Sequence, residues 1–292
     1  MNPNKIPKNN KAYPMKKNKK NLILDTSIAI IAILYTVIRL FFLPFFFREK
    51  IVQENITFRF NSLKNYEVSE EQLNLFLQKI YEENKKNPFF NENISVDIYF
   101  CSNRMQYAFW NPLTAFRGSL AVTTKFFSSR NIMLSNPDFS TLSLVYSGKN
   151  GLKVRKMADV INHEMTHCYL RAKIHFIERI RRMPRWKEEG LAEYVAQSSS
   201  YNINEGIRKL KNNQRDHSPE FAYFGYRLAV SYMINYEKLS FEQILSDKRS
   251  YNDIIKAVVA LDSDVILDLL HSEHFLHQKF QKSLPSCEHP AD

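Results

Sequence analysis

Cysteine is scarce in this chain. The three present, Cys101, Cys168 and Cys287, are too few and too scattered for a disulfide framework to carry the fold. Glycine is also thin, six in 292 residues, and no glycine-rich loop of the kind that cradles phosphates is present. Internal repeats are absent, and so is any helix-turn-helix or RNA-binding signature. These absences exclude a disulfide-stapled scaffold, a phosphate-loop protein and a repeat array. A pairing of Cys101 with Cys287 stays open at this level, whereas Cys168 reads as a buried residue.

What is present is an apolar content of 44% with few glycines, the composition of a folded, helix-rich protein. The formal net charge is +11, but seven lysines fall within residues 1–20, among asparagines and prolines. The basic balance is therefore mainly a property of the tail, and no nucleic-acid partner is expected.

Residues 1–21 read as a basic, disordered, cytoplasmic tail. Residues 22–47 read as a transmembrane signal-anchor helix, because the run from Thr26 to Phe47 is broken only by Arg39 and Pro44. Such a run is long enough for a hydrocarbon core of about 30 Å. No small-residue cleavage site follows it, only Phe45-Phe46-Phe47-Arg48-Glu49-Lys50, so a cleaved signal peptide is disfavoured. The positive-inside rule keeps the lysine-rich side in the cytoplasm. The expectation is a single-pass membrane protein with residues 48–292 on the extracytoplasmic side.

Within residues 48–292 the pattern is α+β. Residues 55–60 alternate as a strand, and Ser69 with Gln72 forms a capping-box start for a helix through about Asn84. Residues 94–101, 118–124 and 131–135 read as further strands, and 201–219 as a polar loop or irregular helix pair. Helical spacing then dominates from Phe221 to about Phe280. His271, His274 and His277 recur every third residue, a spacing that drifts round a helix by about 60° per step and does not converge on one ion. They read as surface or packing histidines.

The stretch from Ala158 to Leu170 reads as a helix and contains His163-Glu164-Met165-Thr166-His167. Residues four apart on a helix differ by about 40° and about 6 Å of rise, so both imidazoles reach toward one metal ion. Glu164 sits one position round, off that axis, where it can touch a metal-bound water. A second block follows: Trp186-Lys187-Glu188-Glu189-Gly190-Leu191-Ala192-Glu193-Tyr194. A catalytic zinc site takes three protein ligands and leaves one position for water, and this block supplies the missing carboxylate.

Together the two blocks resemble the gluzincin zinc metallopeptidases, in particular families with a Glu-Gly-x-Ala block such as the aminopeptidase N-like enzymes. The resemblance implies a zincin-like domain with a small mixed sheet, an active-site helix and an all-helical lower lobe. It implies one zinc ion held by His163, His167 and Glu189, with Glu164 as general base. Glu193 would steady a zinc-bound histidine from behind, and Glu188 is the competing ligand. The interval between His167 and Glu189 is longer than in the family pattern. The family's catalytic tyrosine maps onto Tyr223, with Tyr226 as the alternative. The resemblance also makes Asn131, Ile132, Met133, Leu134 and Ser135 the edge strand on which an extended substrate would lie. Metzincins are set aside, since their glycine and third histidine fall on Leu170 and Lys173. The segment that holds a free amino terminus in the aminopeptidases is missing. The expectation is therefore an endopeptidase acting on a peptide or protein substrate. The alternative is a catalytically inactive zincin-fold protein that binds an extended peptide.

Overall fold

The computed structural model describes residues 47–66, 68–112, 115, 119–123, 130–148, 151–197 and 201–271, with isolated residues between 27 and 46. The chain clusters into two units, Met1–Phe46 and Phe47–Asp292. The basic tail, most of residues 22–47, His274, His277 and Cys287 lie outside the described residues. The expected membrane-spanning helix is corrected here: among the described residues no helix is long and apolar enough to cross a membrane. In sequence the apolar run carries the charge of Arg39 and the helix-breaking Pro44 in its last third. The single-pass topology and the extracytoplasmic placement rested on that helix and are withdrawn with it.

The second unit is a mixed α/β body. Strands β1 (Glu49–Gln53), β2 (Ile56–Phe60), β3 (Val96–Cys101), β4 (Ala121–Thr123) and β5 (Asn131–Ser135) form one sheet in the order β1-β2-β3-β5-β4. The β2–β3 and β3–β5 pairs are parallel, while β1–β2 and β4–β5 are antiparallel. A short strand β6 (Pro137–Asp138) and the hairpin β7 (Ser143–Gly148) and β8 (Gly151–Lys156) form a second sheet.

Side chains alternate across a strand, so the register sorts the five-stranded sheet into two faces. Phe58, Ile98, Ile132 and Thr123 stand in one row across it, and Phe60, Phe100, Leu134 and Ala121 in the next. These rows join the core formed with helix α1 (Glu70–Lys85) through Leu73, Phe76, Leu77 and Ile80. Ser69 caps α1 with the predicted capping box. On the opposite face, Tyr99 meets Phe47, and Phe47 meets Trp110 of helix α2 (Arg104–Trp110). Asn111 just beyond α2 points its Nδ2 at Met133 Sδ, 3.1 Å away.

This two-sided cover corrects the edge assignment. Asn131–Ser135 is an interior strand between β3 and β4, and Ile132, Met133, Leu134 and Ser135 are all buried. A continuous apolar run buried on both faces marks a central strand. The terminal strand of the sheet on that side is β4. The strand immediately before the motif helix is β8, of the other sheet.

Helix α3 (Met157–Lys173) carries the motif and is buried almost all round from Val160 to Leu170. Its polar groups therefore need partners. Asn84 Nδ2 donates to Tyr169 Oη at 2.6 Å, and Asn87 Nδ2 donates to Thr166 Oγ1 at 2.9 Å, tying α3 to the end of α1. The rest is helical: α4 (Phe176–Arg182), α5 (Arg185–Ala196), α6 (Ile203–Lys211), α7 (Pro219–Ser231), α8 (Phe241–Ser246), α9 (Tyr251–Val259) and α10 (Ser263–His271). A π-helical turn, Tyr232–Tyr236, extends α7. The polar stretch after residue 201 contains a single helix, α6.

Candidate metal centre

The site forms where α3, α5 and α7 meet below the sheet. Pro184 is the N-cap of α5, where its missing N–H leaves no helical hydrogen bond unmade. Lys187 in its first turn is buried and donates to Ile244 O at 2.7 Å and Asp247 O at 2.6 Å. These are carbonyls at the end of α8, so Lys187 satisfies an otherwise open helix terminus while fixing the rotation of α5.

That rotation aims Glu189 at the histidine pair of α3. Glu189 Oε2 lies 3.4 Å from His163 Nε2 and 3.4 Å from His167 Nε2. The two Nε2 atoms are 3.3 Å apart. Three ligand atoms thus form a nearly equilateral triangle, and His163, His167 and Glu189 could together hold a metal ion.

Each imidazole is backed by its own carboxylate. His163 Nδ1 is 3.1 Å from Glu193 Oε1, close enough to hold the ring although the approach is off the hydrogen-bond direction. Arg155 of β8 reaches the same Glu193 oxygen at 3.4 Å. His167 Nδ1 is 3.1 Å from Glu188 Oε1, which also accepts from Arg171 Nε at 3.3 Å. Glu188 is therefore on the far side of the His167 ring from Glu189. The step of about 100° between consecutive helical residues separates the two roles.

The charges follow this geometry. Burial disfavours a charged His163, but the carboxylates of Glu189 and Glu193 outweigh it and raise its pKa to about 10. His167 is likewise raised, burial opposing and Glu188 and Glu189 prevailing. Burial would push Glu188 up, yet His167 and Arg171 hold it down at about 2. Glu189 and Glu193 are lowered against burial in the same way by the imidazoles. The cluster is thus knit by contacts between each imidazole and its carboxylates.

Glu164 turns toward the sheet, where Thr123 Oγ1 lies 2.5 Å from its Oε2 and 3.2 Å from its backbone oxygen. A hydroxyl has one proton, and the shorter, charged contact takes it. Thr123 reaches the helix because it shares the helix-facing row with Ile132. The ring of Tyr223 lies 6.3 Å from that of His163, and its hydroxyl accepts from Arg185 Nη2 at 3.5 Å. Burial, then Glu189, pushes its pKa up to about 12, so it keeps its proton at neutral pH. Tyr226 instead packs edge-on against Tyr251, ring centroids 5.3 Å apart.

The structure brings together His163, Glu164, His167, Glu189, Glu193 and Tyr223. It leaves Asn131–Ser135 inside the sheet. Cys168 is fully buried in α3, and Cys101 is buried at the end of β3. Sequence reasoning missed Thr123, Arg155, Arg171 and Arg185, and considered Glu188 only as a rival ligand. The alternation of Ala121-Val122-Thr123 was the one available signal for Thr123. No protein-family model matches this chain, and no curated protein matches it in sequence.

Proposed function

We propose that this chain is a zinc-dependent peptidase of the gluzincin type, cleaving within peptide chains by way of an activated water. The observation that carries the reading is the triangle of His163 Nε2, His167 Nε2 and Glu189 Oε2, with sides of 3.3, 3.4 and 3.4 Å. Tetrahedral zinc with nitrogen and oxygen bonds of about 2.0–2.2 Å needs its ligand atoms roughly 3.3–3.6 Å apart. The carboxylates behind both imidazoles are the supports such ligands use to fix tautomer and orientation.

When bound, zinc would acidify a water and polarise the scissile carbonyl. Glu164 is the base: it takes the proton of the attacking water and returns it to the leaving amine. Thr123 keeps one oxygen of that carboxylate occupied and so sets its orientation. Tyr223 donates to the oxyanion as charge develops, an interaction stronger in the transition state than in the ground state. The terminal strand β4 is the one on which an extended substrate would pair. Endopeptidase action is favoured over aminopeptidase action because the sequence lacks the Gly-x-Met-Glu-Asn-type run with which the aminopeptidase N-like enzymes hold a free amino terminus.

The test is metal content and peptide cleavage in wild type and Glu164→Gln. Wild type should bind one zinc and cleave; the variant should keep the zinc and lose turnover. Retained cleavage in the variant, or no zinc in wild type, sinks the reading.

A further inference from the structure

We propose that Arg185 selects substrates that carry a carboxylate close to the cleaved bond. The proposal rests on the peptidase reading above and adds the substrate class to it. Arg185 opens α5, one turn before Glu189, and its side chain is 75% exposed. It nevertheless reaches into the site: Nη2 is 3.5 Å from Tyr223 Oη and Nε is 3.8 Å from Glu189 Oε1. Both contacts are long, so they orient the guanidinium without using up its donors.

The other cations near the site are already committed. Arg171 belongs to Glu188 and Arg155 to Glu193, both behind the histidines. Arg227 is buried and donates to Leu270 O at 3.0 Å. Arg185 alone among these four stands on the solvent side of the metal ligand, next to the proposed oxyanion donor. The preceding helix has the same sign, with Arg179, Arg181 and Arg182 against Glu178 alone. A planar guanidinium with spare parallel donors matches a carboxylate in two-pronged geometry. A lysine there would offer only a point charge. The carboxylate has two sources, an acidic side chain of the peptide or its free C-terminus.

The experiment uses the zinc-loaded full chain and four matched peptides. Two differ by Glu against Gln beside the cleaved bond, and two by a free against an amidated C-terminus. Binding is read by fluorescence anisotropy on the Glu164→Gln protein, and kcat/KM on the protein with Glu164 intact. The favoured peptide should bind roughly 1.5- to fivefold tighter than its neutral match, the range for a mostly exposed ion pair. The pair that shows the preference identifies the source. Arg185→Gln should collapse that ratio toward one, and Arg185→Lys should restore part of it. Zinc content, measured in parallel, reports any purely structural role. Equal binding of matched peptides, or a ratio untouched by Arg185→Gln, overturns the assignment and leaves the peptidase reading standing. Selective binding with no cleavage of any peptide overturns the peptidase reading and leaves Arg185 as an anion-selecting residue.

Discussion

Gly190 follows the proposed ligand Glu189, and replacing it with alanine tests whether the packing of α5 on α7 sets the metal site. A Cβ at this position would stand 2.5 Å from Tyr226 O and 2.6 Å from Val230 Cγ2. The valine can rotate, but the carbonyl belongs to the backbone of α7 and cannot. Relief to ordinary contact requires α5 to withdraw by roughly 0.9 Å, a large shift in a close-packed interior. Metal ligands tolerate only about 0.2 Å. Side-chain rotation of Glu189 recovers part of the displacement, so zinc affinity should fall about tenfold or more. Overpacking costs about 1–3 kcal/mol, while alanine returns about 1 kcal/mol of helix propensity. A net loss of about 0–2 kcal/mol lowers Tm by up to about 8 °C in a domain of this size. Circular dichroism of the metal-free protein gives the packing term, and competition with a chelating dye gives the affinity. Gly190→Ala with unchanged Tm and unchanged affinity would refute the close-approach argument.

Three further outcomes test other parts of the site. Glu193→Gln removes the charge behind His163 and should weaken zinc about 10- to 100-fold; dye competition showing no change would detach Glu193 from the metal. Thr123→Val keeps the shape and deletes the donor to Glu164, so kcat should drop about tenfold with zinc content unaltered. Full kcat in that variant would mean the base is oriented by something else. In the metal-free protein the His163 pKa is raised from 6.5 to about 10. A raised value stabilises the fold below the unfolded pKa and is lost through the folded one, so stability should decline between about pH 6.5 and 10. Zinc uptake needs the neutral ring, so it should tighten over the same interval and release protons. Calorimetric heats independent of buffer ionisation enthalpy would contradict that release.

The elements legible in the sequence were those whose pattern has one physical cause. Ile56–Phe60 alternates because only one face of β2 is fully buried, and α1 begins at Ser69 because its capping box satisfies the first backbone donors. The hairpin of β7 and β8 was missed because serine and the weak strand formers glycine and lysine interrupt its apolar residues. β5 was recognised as a strand but given the wrong place in the sheet. Its apolar run, Ile132-Met133-Leu134, reflects cover by α2 on the second face, and a covered strand cannot be the edge that meets substrate. The apolar run before Phe47 was read by its length, over the interruptions at Arg39 and Pro44.

The site was more legible than the sheet because two short motif blocks, each on one helix, carry most of it. His163 and His167 are one turn apart, as are Glu189 and Glu193, so each helix presents two groups along one line. The resemblance supplied the roles of Glu189 and Glu193, and the structure puts Glu189 near both Nε2 atoms and Glu193 behind the His163 ring. Phase alone left Glu188 as a rival of Glu189, and the 3.1 Å from its Oε1 to His167 Nδ1 shows where it goes. What phase cannot supply is how closely the helices approach. That distance is set by Gly190 against the Tyr226 carbonyl and by Lys187 pinning α5 to the end of α8. Neither residue touches a ligand atom in its own right, yet the approach that gives the 3.3–3.4 Å triangle runs through both.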